Sequence, residues 1–219
     1  MSDALPDDDY VAFDFATTAP RDRYKLLCGI VVPRPIALVT SVDEDGRVNA
    51  APFSFFNVFS ENPAQIVLGL QHKSDESFKD TTRNLARTKH FVVNMVDEAL
   101  APVMNDCAID FPQGVSEISE LGIATVPGVH GPAPRIAAAP FALECRHSMS
   151  LVFTTTRELL IGEVVGVHAR RDLLDTKALH IDTAKYRPIG RLAGADYARQ
   201  GEVFSMTRET FAEWNKRRG

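Results

Sequence analysis

Residues 36–51 carry the pattern that most constrains this chain. An apolar, β-branched run from Ile36 to Val42 meets an acidic turn, Asp43-Glu44-Asp45-Gly46, and a second extended run follows from Val48 to Ala51. Gly46 stands where a hairpin turn needs a positive φ, so the two runs are predicted to pair antiparallel. Further extended runs fall at 66–70, 91–96, 141–152 and 159–168, with helical stretches between them but no regular strand–helix–strand alternation. This order favours a small antiparallel barrel, mainly β with α insertions, over a doubly wound parallel sheet.

Residues 1–20 read as an N-terminal arm, acidic at its start, residues 21–205 as one domain and residues 206–219 as a C-terminal helix. A helix is expected over 21–28 after Pro20, ended by Gly29. Residues 52–60 read as a Phe-rich loop in which Pro52 interrupts the strand. Asp80 is the expected cap of a helix over 80–88, and a further helix is expected over 97–106. Residues 111–135, rich in Pro and Gly, read as an irregular excursion with one short helix near 116–121. In the run 141–152, Phe141, Leu143, Cys145, His147, Met149 and Leu151 share one face of a strand. Gly162 and Gly166 mark a bend or a close backbone approach. A terminal helix over 207–218 places Phe211 and Trp214 on one stripe, with Lys216, Arg217 and Arg218 at its negative end.

The 219 residues carry a net charge of −5, with 45% hydrophobic and 24% charged side chains. That is the composition of a soluble globular protein, and its acidity gives no long-range pull toward nucleic acid or anionic membrane. No apolar run approaches the roughly 20 residues of a bilayer-spanning helix, and the first residues lack a secretory pattern. A soluble, cytoplasmic protein is expected. Cys28, Cys107 and Cys145 form no CxxC pair and read as buried thiols. The six histidines form no HExxH pair. His147 reads as a hydrogen-bonded core residue; paired acid chemistry between Glu144 and Glu163 has no support beyond their strand positions.

Two segments offer ligand chemistry. In Lys79-Asp80-Thr81-Thr82-Arg83-Asn84, a helix capped by Asp80 leaves the amides of Thr81, Thr82 and Arg83 as first-turn donors for an anion. Lys79 and Arg83 are positioned to bracket that anion, and the Thr hydroxyls add neutral donors. The plain alternative is a capped surface helix with solvated charges. In the segment 50–57, small residues admit a ligand to the backbone, while Ser54 and Asn57 offer compact donors and acceptors. There the alternative is a hydrophobic loop closing the barrel end. Thr40 and Ser41 read equally as polar residues at a strand end.

Taken in order, these segments resemble the flavin reductase-like family with the FMN-binding split barrel, which includes flavoredoxin-like proteins. The likeness extends to Tyr186-Arg187-Pro188-Ile189-Gly190-Arg191 and on to Tyr197, spanning about residues 30–200. It implies a split β-barrel, antiparallel and Greek-key-like. It implies that Ala51, Pro52, Ser54, Phe55, Phe56 and Asn57 lie along the flavin, with Thr40 and Ser41 near its ring and ribityl chain. Lys79, Thr81, Thr82, Arg83 and Asn84 match the phosphate side; Arg191 and Tyr197 match part of the pocket or its cover. Where the family motif often reads Arg-Leu-Gly-Gly, this chain has Ala193 before Gly194. The resemblance further implies a homodimer with flavin near the subunit interface. The implied function is NAD(P)H-dependent hydride transfer to FMN, with NADH or NADPH as a transient visitor. The absence of a GxGxxG fingerprint from the sequence agrees with such a visitor. An electron carrier, an oxygenase-type enzyme with a partner, and a non-catalytic ligand-binding barrel stay open.

Overall fold

A computed structural model describes residues 10–72, 78–112 and 114–218, so the first nine residues of the expected arm lie outside it. Its helices are α1 Pro20–Ile30, α2 Asp80–Thr88, α3 Ala101–Asp106, α4 Glu117–Glu120, α5 Thr183–Tyr186 and α6 Phe211–Arg218. The first strands are β1 Ala37–Val42, β2 Val48–Phe53, β3 Phe56–Glu61, β4 Ala64–Gln71 and β5 His90–Met95. Then come β6 Thr125–Val126, β7 Arg135–Ile136, β8 Phe141–Thr154, β9 Arg157–Ala169, β10 Leu174–Asp175, β11 His180–Ile181, β12 Ile189–Arg191 and β13 Tyr197–Arg199.

Seven strands form one antiparallel sheet in the order β2-β1-β5-β8-β9-β4-β3. β2 and β3 are the two ends of that order, yet only Ser54 and Phe55 separate them in the chain. So short a link spans about 10 Å at most, so the sheet must curl until its edges meet. At the seam the two edges do not pair. A bond from the Gly69 amide to the Phe55 carbonyl, 2.7 Å long, reaches from β4 to the link between them.

Alternation along β1 explains why its whole run is apolar or small. Ala37 and Val39 face the barrel interior with Phe56, Leu68, Phe91 and Leu160. Ile36 and Leu38 face outward into a second core built with Leu100, Met104 and Ile118. All six residues of β1 are therefore buried. The edge at β2 is covered by α4: Glu117 accepts the Ala50 amide at 2.9 Å, and the Ser116 hydroxyl donates to the Val48 carbonyl. An unpaired edge is thereby blocked.

Several boundaries differ from the sequence reading, each for a local reason. α1 continues through Gly29 to Ile30, and Pro33 disfavours helix at the residue before it. The expected loop 52–60 is the end of β2 plus β3, since an edge strand tolerates Pro52. α3 begins only at Ala101, because Asp97 caps a preceding turn by accepting the Leu100 amide at 2.9 Å. β8 takes an extra residue between His147 and Met149, which breaks its alternation; Met149 and Leu151 are 52% and 47% exposed. α6 starts late, at Phe211, after reciprocal Thr210–Glu213 bonds.

The glycine reading of β9 corresponds to close packing. A β-carbon at Gly162 would lie 2.6 Å from Phe91 Cζ, in the middle of the interior core. Gly162→Ala is expected to lower unfolding free energy by about 1–3 kcal/mol, as overpacking does. Urea unfolding checks this, and an unchanged midpoint would contradict it.

Glu144 anchors the excursion to the barrel. Its buried carboxylate accepts the amides of Val129 (2.9 Å) and His130 (2.6 Å) and lies 2.5 Å from His168 Nε2. Glu163 instead pairs with Arg146 at 2.7 Å. Burial pushes the Glu144 pKa up, but the two amides and His168 outweigh it and hold it below its ordinary 4.5. A carboxylate depressed in the folded state stabilises above its unfolded pKa, and this stability is lost as pH falls through the folded one. Glu144→Gln is thus expected to flatten the fall in urea midpoint between about pH 6 and pH 3. Parallel curves for the variant and the parent protein would contradict the assignment.

Candidate active site

α2 organises the region. Its N-cap is Lys79, in extended conformation and without a side-chain cap bond, so Asp80 is the first helical residue and not the cap. The Arg83 amide closes on the Lys79 carbonyl at 3.1 Å. The leading free-turn amides are therefore those of Asp80, Thr81 and Thr82. Arg83 is occupied as well: it pairs with Asp80 and donates to the Phe78 carbonyl at 3.3 Å.

The inner face of α2 is a polar joint. Asn49 Nδ2 donates to Thr81 Oγ1 at 3.0 Å, and Asn84 Nδ2 donates to Ser41 Oγ at 3.1 Å, while Leu85 enters the interior core. Thr40, next to Ser41, points to the opposite face of β1, as strand geometry requires. Its hydroxyl donates to the Pro134 carbonyl at 2.5 Å and accepts from Asn94 Nδ2 at 3.2 Å. One ligand surface does not reach both side chains.

Beside the N-terminus of α2 lies a cleft of about 400 Å³. Tyr24 of α1, Pro52, Ser54 and Phe55 at the β2–β3 link, Lys79, and Phe153 and Arg157 of the β8–β9 hairpin line it. The Tyr24 and Phe55 rings are 6.3 Å apart. Burial and the Cys28 thiol push the Tyr24 hydroxyl pKa up, against the opposing charges of Arg34 and Arg191. Lys79 and Arg157 make no ion pair with a described residue, and the one acid on the lining, Glu158, is 3.2 Å from His72 Nε2. Aromatic walls with Lys79 at their edge, in a chain of net charge −5, suit a flat ring that carries an anion.

The remaining candidates are distributed around this cleft. Ala51 pairs with Val39 in the sheet, Phe56 is buried in the interior core, and Asn57 is exposed on β3, its Oδ1 accepting the Val58 amide at 2.8 Å. Thr82 faces a second cavity with His72 and His147, whereas Arg83 and Asn84 border a polar groove with Asn49 and Arg87. Lys79 and Arg83 thus line different clefts. Arg191 stacks over the Tyr197 ring at 4.5 Å, and its backbone pairs with that of Arg34. His147 is half-buried, bonded to Ser150 Oγ at 2.9 Å; burial and Lys89 hold its pKa down. Burial pushes the Cys107 thiol up to about 12 and raises Cys145 as well, so neither offers a thiolate. Among the described residues no three His, Cys, Asp or Glu converge as a metal site, and no helix is long and apolar enough to cross a membrane.

Tyr24, Phe153 and Arg157 were missed by the sequence reading. Phe153 and Arg157 are remote from the motifs in sequence and reach the cleft through the β8–β9 register, in which Thr154 faces Arg157, while Tyr24 reaches it from α1.

The chain matches the model of the flavin reductase like domain over residues 30–190. The 2-nitrobenzoate 2-nitroreductase of Pseudomonas fluorescens is 36% identical, with TM-score 0.84 over 92% of this chain and 98% of that one. Nitrilotriacetate monooxygenase component B of Bacillus cereus is 34% identical, with TM-score 0.85 over 90% of this chain and 98% of that one. A Shewanella frigidimarina structure described by its split barrel domain is 15% identical, with TM-score 0.78 over 91% of this chain and 100% of that one, a likeness of fold alone. Motif order, closed antiparallel sheet and domain match agree: this chain is a member of the flavin reductase-like family, built on the split barrel.

Proposed function

We propose that the protein is a soluble, cytoplasmic FMN-binding oxidoreductase that transfers hydride between NADH or NADPH and flavin. The observation that carries this reading is the cleft in which an uncommitted Lys79 stands at the mouth of α2, beside aromatic walls. The donor set fits FMN. One ammonium and the amides of Asp80, Thr81 and Thr82 suit a single terminal phosphate. Tyr24 and Phe55 suit one face of a flat ring system, and Ser54 its polar edge. When bound, the flavin supplies the hydride chemistry. The protein's part is to bind and orient the ring, hold its phosphate and exclude water, which needs no nucleophile triad.

The names of the nitroreductase and the monooxygenase component, 36% and 34% identical to this chain, support redox work on this scaffold. The second favours a further reading, in which reduced flavin passes to a partner oxygenase. A homodimer belongs to the proposal too. Leu27 and Ile30 of α1, Val58 and Phe59 of β3 and Phe153 of the cleft lining are each 50% or more exposed, apolar side chains that a second copy would cover. Sedimentation equilibrium tests it.

The function is tested by titration with FMN and FAD, followed by NADH and NADPH oxidation with free FMN as acceptor. Uptake of FMN with steady turnover supports a reductase. Uptake without turnover identifies a carrier, and no uptake overturns the reading.

A further inference from the structure

The cleft holds one cation more than a single cofactor phosphate requires. Lys79 sits at the α2 mouth, while Arg157 enters from a different element, the start of β9. Its backbone is held on both sides, by Gln71 of β4 and by Thr154 of β8. The side chain therefore springs from a rigid base. Its guanidinium donates to the Thr156 carbonyl at 3.0 Å and makes no ion pair with a described residue. Arg carries five N–H donors in a planar fork, most of which stay open here. The neighbouring Glu158, which would neutralise it most directly, is turned to His72, at 3.2 Å. Phe153 stands beside Arg157 on the cleft wall and is 68% exposed.

We propose that Arg157 is a specificity-determining residue that grips the anionic group of the second reactant, the molecule that exchanges hydride with the flavin. The reactant is flat enough to lie against Phe153 and carries a carboxylate, sulfonate or phosphate within reach of the fork. Two sources supply such a group: the phosphates of a nicotinamide dinucleotide, or an acidic substituent on an aromatic acceptor. This assignment rests on the flavin occupying the cleft with its phosphate toward Lys79.

The test uses full-length protein, Arg157→Gln and Arg157→Lys, with three readouts. FMN affinity comes from fluorescence quenching. The nucleotide arm measures KM for NADH with 1,4-naphthoquinone as acceptor. The acceptor arm measures the ratio of kcat/KM for 1,4-naphthoquinone-2-sulfonate to that for 1,4-naphthoquinone. Arg157→Gln is expected to leave FMN affinity within about twofold and to shift one arm about tenfold or more, the loss of a charge-assisted contact. The arm that moves names the source. Arg157→Lys, which keeps the charge, is expected to recover part of that shift and guards against a folding defect in the first variant. FMN uptake with both arms unmoved overturns the assignment alone. An FMN affinity that falls tenfold moves Arg157 to the cofactor and also overturns it. Wild-type protein that takes up no FMN overturns the reading of the cleft beneath it.

Discussion

Lys79→Ala raises the FMN dissociation constant by roughly 10- to 150-fold, the equivalent of about 1.5–3 kcal/mol for a charge-assisted contact to phosphate. The protein without flavin unfolds at the same temperature as wild type, because Lys79 makes no ion pair with a described residue and supplies no side-chain cap to α2. Arg83→Ala is the informative companion. Its guanidinium is committed to Asp80 and the Phe78 carbonyl and borders a different groove, so its loss costs flavin affinity less. Flavin fluorescence quenching measures both. Equal losses would place the phosphate between the two cations.

The second large effect lies behind the site. Asn94 is fully buried between β1 and β7: its Nδ2 donates to the Leu38 carbonyl at 3.0 Å and to Thr40 Oγ1 at 3.2 Å, and its Oδ1 accepts the Ile136 amide at 2.7 Å. Asn94→Leu keeps the γ-branched shape and removes all three bonds. A buried amide left without a partner costs about 1–3 kcal/mol, and the lost donors add to it, so a total near 3 kcal/mol is expected. Asn57→Ala, at an exposed β3 position, is the control and is expected within about 0.5 kcal/mol. Chemical denaturation separates them; a loss below about 1 kcal/mol for Asn94→Leu would mean β7 is not held through this residue.

Much of this fold was legible because local chemistry decides it. The Asp43–Gly46 turn sets the first hairpin, and Gly46 takes φ 80° as the turn requires. Gly162 marks a bend or a close approach in the sequence, and in the fold the Phe91 ring packs where its β-carbon would lie. Closure of the barrel was written only in the contrast between a two-residue link and a strand order, and strand order is non-local. For the same reason the sequence placed Thr40 and Ser41 together without saying which face each takes toward a ligand. It grouped Lys79 with Arg83 by helical spacing, although the N-cap position turns one toward the cleft and the i,i+3 pair with Asp80 holds the other away. Phe153 and Arg157 had no local signal at all, since their place depends on the pairing of β4, β8 and β9. The late start of α6 is the opposite case: the Thr210–Glu213 spacing is a capping pattern present in the sequence and passed over.

The most direct measurement is a crystal structure of the protein grown with FMN. The expected result places the phosphate within hydrogen-bond reach of Lys79 Nζ and the amides of Asp80, Thr81 and Thr82, with one face of the ring against Tyr24 and Phe55 and the other open toward Phe153. Flavin bound elsewhere, with this cleft free of it, would contradict the account.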